Sequence, residues 1–160
     1  MNIRSALPSD RARIHAILLA TGLFTEEELA AAMDLVDQSL LKPPRGEYIT
    51  SVVAESEQVW GYVCYGPTPL AEGVFDLYWI AVDPARHGEG FGQLLLRYVE
   101  SEVRKRSCRM LLIETSSKKS YAPTLRFYRR AGYEEISRIK DFYRVQDDKV
   151  VFSKRLTDAG

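Results

Sequence analysis

The sequence predicts a single α/β domain built on one mixed central β-sheet with helices on both faces. Three observations carry that prediction. Apolar strand-like runs and helical runs follow the order β-α-α-β-β-β-α-β-α-β-β. The stretch from about Tyr78 to Glu114 reads strand, glycine turn, helix, strand, which should close as a right-handed parallel crossover, with antiparallel hairpins flanking it. The 160 residues, 46% of them hydrophobic, suit one core, and no repeat, low-complexity tract or linker divides them.

The elements follow in order. Residues 3–6 read as a short strand. Leu7-Pro8-Ser9-Asp10 turns, and Ser9 or Asp10 is placed to cap a helix that runs to about Ala20 and breaks at Thr21-Gly22. Thr25-Glu26-Glu27-Glu28 is a capping box, since the Thr hydroxyl and the Glu28 carboxylate can satisfy each other's orphan amides. It opens a second helix to about Leu41, which Lys42-Pro43-Pro44-Arg45-Gly46 ends as a loop. Residues 48–55 and 59–65 form strands joined at Ser56-Glu57-Gln58, and Gly66-Pro67-Thr68-Pro69 breaks the second. Residues 74–82 are the most strand-like run in the chain.

A helix from Gly90 to about Arg106 carries Phe91, Leu94, Leu95, Tyr98, Val99 and Val103 along one stripe. Residues 110–114 read as a buried strand. Residues 123–131 read as a short helix, with Pro123 in its first turn and Gly132 stopping it. Residues 136–143 and 149–154 pair as a last hairpin across Gln146-Asp147-Asp148.

Composition removes several functions. Lysine plus arginine and aspartate plus glutamate number 22 each, so no global field favours nucleic acid or an anionic membrane as partner. The histidines are His15 and His87, and no Cys/His cluster has metal-ligand spacing, so no metal is expected. Cys64 and Cys108 sit in or beside apolar strands and read as reduced core thiols. The chain starts without a signal-peptide apolar core and has no bilayer-spanning run, so a cytoplasmic location is the expectation.

One motif carries chemistry. After the strand come Asp83-Pro84-Ala85-Arg86 and then His87-Gly88-Glu89-Gly90-Phe91-Gly92. Glycines at alternate positions remove the Cβ atoms that would keep a phosphate from the backbone. The turn also opens a helix, whose free amides and positive dipole end attract an anion. A dinucleotide fingerprint fails, because its third glycine would fall at Gln93 or Leu95. A P-loop fails, because no lysine follows. A tight turn without a ligand is the structural alternative.

With these residues the chain resembles the GNAT superfamily of N-acetyltransferases. The phrase Ile80-Ala81-Val82-Asp83-Pro84 followed by the glycine turn is similar to that family's coenzyme motif, with His87 where Gln or Arg is usual and Arg86 adjacent as a source of positive charge. Thr124-Leu125-Arg126-Phe127-Tyr128-Arg129-Arg130-Ala131-Gly132-Tyr133 is similar to its later motif, with Tyr121 where Asn is frequent. The resemblance covers most of the chain and is weakest over residues 20–47. It implies that residues 1–160 are one N-acetyltransferase domain, with acetyl-CoA as cosubstrate and no metal. It implies that Ile80, Ala81, Val82, His87, Gly88, Glu89, Gly90, Phe91, Gly92, Gln93, Tyr121 and Phe127 hold the coenzyme, with the Ile80 amide as oxyanion donor.

Acetyl transfer to an amine needs a positioned thioester, a base for the amine, a donor for the oxyanion and an acid for the departing thiolate. By the resemblance Tyr128 is the acid; by composition alone it would be a core aromatic beside Phe127. Glu114 ends an apolar strand and resembles the base of ribosomal-protein alanine acetyltransferases; Asp76, Glu72 and a water relay are its rivals. The acceptor pocket should be built from the two N-terminal helices, their loop and the last hairpin, with Phe24, Tyr78, Trp79, Phe142 and Tyr143 as walls.

A small-molecule amine or amino acid is the first expectation for the acceptor. A peptide or protein N-terminus of the ribosomal-protein alanine type is the second, and a non-catalytic CoA-binding regulatory domain the third. The family often dimerises, so a homodimer joins the expected partners.

Overall fold

The computed structural model describes residues 1–41 and 47–157; the loop expected at residues 42–46 lies outside them. The elements are β1 (Asn2–Ser5), α1 (Arg11–Thr21), α2 (Glu26–Leu40), β2 (Ile49–Glu55), β3 (Gln58–Pro67), β4 (Val74–Val82), α3 (Phe91–Arg104), β5 (Met110–Ser116), α4 (Ala122–Arg130), β6 (Glu134–Arg144) and β7 (Asp147–Arg155). The seven strands form one sheet in the order β1-β2-β3-β4-β5-β7-β6. Only β4 and β5 run parallel, and α3 crosses between them. The expected fold class, a mixed central sheet with helices on both faces, is the one observed. Helices α3 and α4 cover one face and α1 and α2 the other.

Local chemistry accounts for most boundaries. Thr25 caps α2 by accepting the Glu28 amide at 3.2 Å. Gly22 closes α1 at φ +65. Helix α4 ends in a Schellman motif: the Tyr133 amide reaches the Tyr128 carbonyl and the Gly132 amide the Arg129 carbonyl, both at 3.1 Å.

Four expectations change. Asp10 does not cap α1 through its side chain; its carboxylate accepts the Leu7 amide at 2.8 Å and grips Arg4. β3 continues through Pro67, because Pro67 pairs with Phe75 opposite. β5 extends two residues further, to Ser116, carried by its ladder with β7. The last hairpin turns at Val145-Gln146, and Asp147 and Asp148 belong to β7.

The feature that positions the site lies in β4. Against β3, Cys64 pairs with Trp79 and Tyr65 pairs with Leu77, which leaves Tyr78 as a bulge. A one-residue insertion reverses which side chains face which layer. Phe75 and Leu77 point to the α3/α4 layer before the bulge, and Ile80 and Val82 point there after it. On the β5 side, pairing stops at Leu77 with Ile113. Beyond that point β4 follows β3 while β5 follows β7, and the sheet splays.

Candidate active site

The splay opens a cleft of about 710 Å³. Its walls come from β4 (Asp76 to Ile80), β5 (Glu114 to Ser116), the α1–α2 loop with the first turns of α2, the start and middle of α4, and the β6–β7 hairpin. Of the expected aromatic walls, Phe24, Tyr78, Trp79 and Tyr143 line it. Phe142 does not; it is exposed and packs on Tyr143 and the Lys149 ammonium. Phe24 meets Trp79 edge to face at 5.5 Å.

Tyr128 enters from the α4 side. Its ring packs against Phe127, Tyr133 and Phe152 at centroid distances of 5.4, 6.1 and 5.8 Å. The residue is 4% exposed, yet it lines the cleft, and its hydroxyl has no hydrogen-bond partner among the described residues. Burial pushes this phenol well above its ordinary pKa, so it keeps its proton. Lys154 fixes this corner by donating to the Ala131 carbonyl and to Glu100, each at 2.9 Å, and Glu100 also accepts the Tyr133 hydroxyl at 3.0 Å. A cation on the last carbonyls of α4 suits the helix dipole there.

The three candidate carboxylates separate. Glu72 lies outside the cleft lining. Glu114 lines it, half exposed, with the Lys149 ammonium 3.2 Å away. Asp76 lines it as well, half buried, accepting the Thr68 hydroxyl at 2.6 Å. Burial, and secondarily the nearby Glu114 charge, raise the Asp76 carboxyl above its ordinary value, against the lowering effects of Thr68 and Lys149. Asp76, a rival of Glu114 by sequence, owes its burial to the β4–β5 register, which composition does not reveal.

The glycine turn lies at the far end of β4. Gly88 and Gly90 adopt φ of +81 and +84, which L side chains rarely take, and a Cβ on either would meet nothing within 4 Å. At Gly92 an added Cβ would instead stand 3.5 Å from the Phe127 ring, so Phe127 flanks the turn. Gly90 is the N-cap of α3 and supplies no side-chain cap, and the first turn of α3 holds no acidic residue. The leading amides, on Phe91, Gly92 and Gln93, precede the first intrahelical bond, from Leu94 to Gly90. The Phe91 side chain itself is core.

Two neighbours of the turn are engaged within the protein. Arg86 does not offer a free charge. It donates to Glu89 at 2.7 Å and to Glu55 at 3.1 Å, and lies over the Trp60 and Phe91 rings at 4.8 and 4.6 Å. It therefore braces the turn from behind. His87, exposed, is tied by Nε2 to the Val82 carbonyl at 2.9 Å, joining the turn to the end of β4. Asp83 adds a brace by accepting the Ala85 amide and the Arg13 guanidinium at 2.8 and 2.6 Å.

Tyr121 precedes α4 and lines the cleft, 8% exposed, with the Lys118 ammonium 5.1 Å from its ring. Sequence reading missed Thr25, Glu27, Glu28, Ser116, Arg144 and Asp147 as lining residues. The signal for two of them was present in the run of three glutamates behind Thr25. Among the described residues, no group of three or more His, Cys, Asp or Glu could hold a metal ion, and no helix is long and apolar enough to cross a membrane.

The model of the acetyltransferase (GNAT) family matches residues 13–133. Among solved structures, an acetyltransferase assigned to the GNAT family from Desulfovibrio desulfuricans is 41% identical, with a TM-score of 0.93 over 98% of this chain and 99% of that one. The fold is shared with a ribosomal-protein-alanine N-acetyltransferase from Brucella melitensis at 23% identity, TM-score 0.75, covering 97% and 99% of the two chains. It is also shared with an aminoglycoside 6'-N-acetyltransferase complexed with coenzyme A at 14% identity, TM-score 0.78, covering 100% and 99%. No curated protein matches the chain.

Proposed function

The chain belongs to the acetyltransferase (GNAT) family, and from that premise we propose that it moves an acetyl group from acetyl-CoA directly onto a primary amine of a small molecule. The observation that carries this reading is the junction of three features along one strand. β4 ends at an uncapped glycine turn, parts from β5 after Leu77, and at that parting shares a cleft with the Tyr128 phenol, whose ring is held in the core.

The residues divide the work. Amides of Gly88 to Gln93 take the pyrophosphate, with His87 and Glu89 at the rim and Phe127 and Val82 beneath. Ile80, Ala81 and Val82, past the end of the β4–β5 ladder, hold the pantetheine arm, and the Ile80 amide stabilises the oxyanion. Tyr121, at the start of α4, closes the coenzyme's path on the cleft side. The amine loses its proton to the Asp76 and Glu114 pair, and burial raises the basicity of the Asp76 carboxylate. Its nitrogen bonds to the thioester carbon, the C–S bond breaks, and Tyr128 gives the departing sulfur its proton.

Two contacts across the mouth favour a small acceptor over a protein chain. Arg144 of the β6–β7 hairpin reaches Glu28 of α2 at 3.8 Å, and Lys118 reaches the Leu23 carbonyl at 3.5 Å. The test is thiol release from acetyl-CoA with a panel of amines, amino acids and peptides. We expect release with small amines. Coenzyme binding without release for any acceptor would overturn the enzyme reading in favour of a binding domain, and preference for a peptide N-terminus would move the acceptor class.

A further inference from the structure

We propose that the acceptor is a small di- or oligoamine, its reacting nitrogen at Asp76 and Glu114 and a second ammonium held by Glu27 and Glu28. The inference rests on the amine-acetyltransferase reading above. Five carboxylates line the cleft: Glu27, Glu28, Asp76, Glu114 and Asp147. Arg144 is the one cation in that lining among the described residues. Counting Lys149 and Lys118 at its edge, acids still exceed bases five to three, in a chain whose charges balance at 22 each.

The cations present are engaged. Arg144 pairs with Asp147 at 3.3 Å and only loosely with Glu28 at 3.8 Å. Lys149 serves Glu114. Glu27 has no ion-pair partner among the described residues. Acidic residues in a first helical turn serve the dipole, and that alone would explain a run of three. The run divides, however: Glu26 turns to a shallow hollow beside Arg11 and His15, whereas Glu27 and Glu28 turn into the cleft.

Two further observations show that the cleft is built for a ligand. Tyr121 and Tyr128, 8% and 4% exposed, line it with hydroxyls that have no hydrogen-bond partner among the described residues. Both rings are held in the core while their hydroxyls open on the cleft, free to meet a polar group that enters it. The uncharged lining includes four further aromatic residues, Phe24, Tyr78, Trp79 and Tyr143, whose rings favour a cation over an anion. An acceptor carrying a carboxylate would meet Glu27 and Glu28 as like charges.

The test measures kcat/KM with acetyl-CoA for putrescine, spermidine, n-butylamine, γ-aminobutyrate and an alanine-initiated tetrapeptide. The better of the two oligoamines should exceed n-butylamine by at least about tenfold, with γ-aminobutyrate slowest. In Glu27→Gln/Glu28→Gln that ratio should fall to about threefold or less. Should the double variant fold poorly, Glu27→Gln alone should lower the ratio in the same direction. Equal or faster turnover of n-butylamine, preference for γ-aminobutyrate or the peptide, or an unchanged ratio in the variant overturns the inference while leaving the amine acetyltransferase intact. Absence of thiol release with every acceptor, at intact coenzyme binding, overturns the function itself.

Discussion

Helices α2 and α3 begin in opposite ways. α2 starts behind Thr25, whose hydroxyl takes the Glu28 amide, and carries Glu26, Glu27 and Glu28 in its first turn. α3 starts behind Gly90, with no side chain to offer and no acidic residue in its first turn. Both ends expose amides and the positive end of a dipole. In α2 the sequence satisfies that end internally and turns the surplus carboxylates toward the cleft. In α3 it leaves the end open, on glycines braced by Arg86 and by the His87 contact to Val82. The difference separates a terminus that is a structural element from one that awaits an anion. Under the proposed function it would give the acyl donor and the amine acceptor opposite electrostatic surroundings.

The largest expected effect tests whether the two ends serve one reaction. Tyr128→Phe keeps the ring in its packing and removes the proton, so kcat should fall by about a hundredfold or more while coenzyme affinity holds. Unchanged turnover would reduce Tyr128 to packing.

Next comes Asp76, whose carboxyl is raised by burial. As the base it must be ionised, so activity should decline on the acid side at a pH above the ordinary aspartate value, and Asp76→Asn should cost about tenfold or more and remove that limb. The stability effect has the opposite sense. A carboxyl raised on folding binds its proton more tightly in the native state, so its contribution is present below its unfolded pKa and is lost as pH rises through the folded one. At neutral pH Asp76→Asn should therefore be less active and more stable to denaturant. A less stable variant would contradict the burial account.

Two smaller effects address the helix ends themselves. Gln93→Glu makes the start of α3 resemble that of α2, and coenzyme affinity should fall about two- to fivefold with no loss of stability. Thr25→Ala removes the α2 cap, and chemical denaturation should register about 1 kcal/mol of lost stability with coenzyme affinity unchanged. Exchange of these two outcomes between the helices would reverse the comparison.

Much of this was legible in the sequence. The order of elements, the parallel crossover and the Gly132 stop follow from periodicity and turn chemistry, which act over a few residues. The glycine turn was legible because positive φ leaves its mark as glycine. The rest depends on partners distant in sequence. Nothing in Val74 to Val82 marks Tyr78 as a bulge, since that register is set by β3. Arg86 reads as a cradle charge until Glu55, thirty-one positions away, takes it. Asp76 and Glu114 look equivalent until the β5–β7 ladder places Lys149 beside one of them.

The central claim is that the open start of α3 is the coenzyme site, and calorimetric titration of acetyl-CoA into the wild type and Gly90→Val tests it most directly. The added Cβ meets no protein atom within 4 Å and so projects into the space the phosphates would use, and valine at φ +84 also strains the turn; both effects act on the cradle itself. Binding to the wild type and a loss of at least about a hundredfold in the variant, with circular dichroism showing the fold retained, is the expected result. Equal affinity in the two proteins would contradict it.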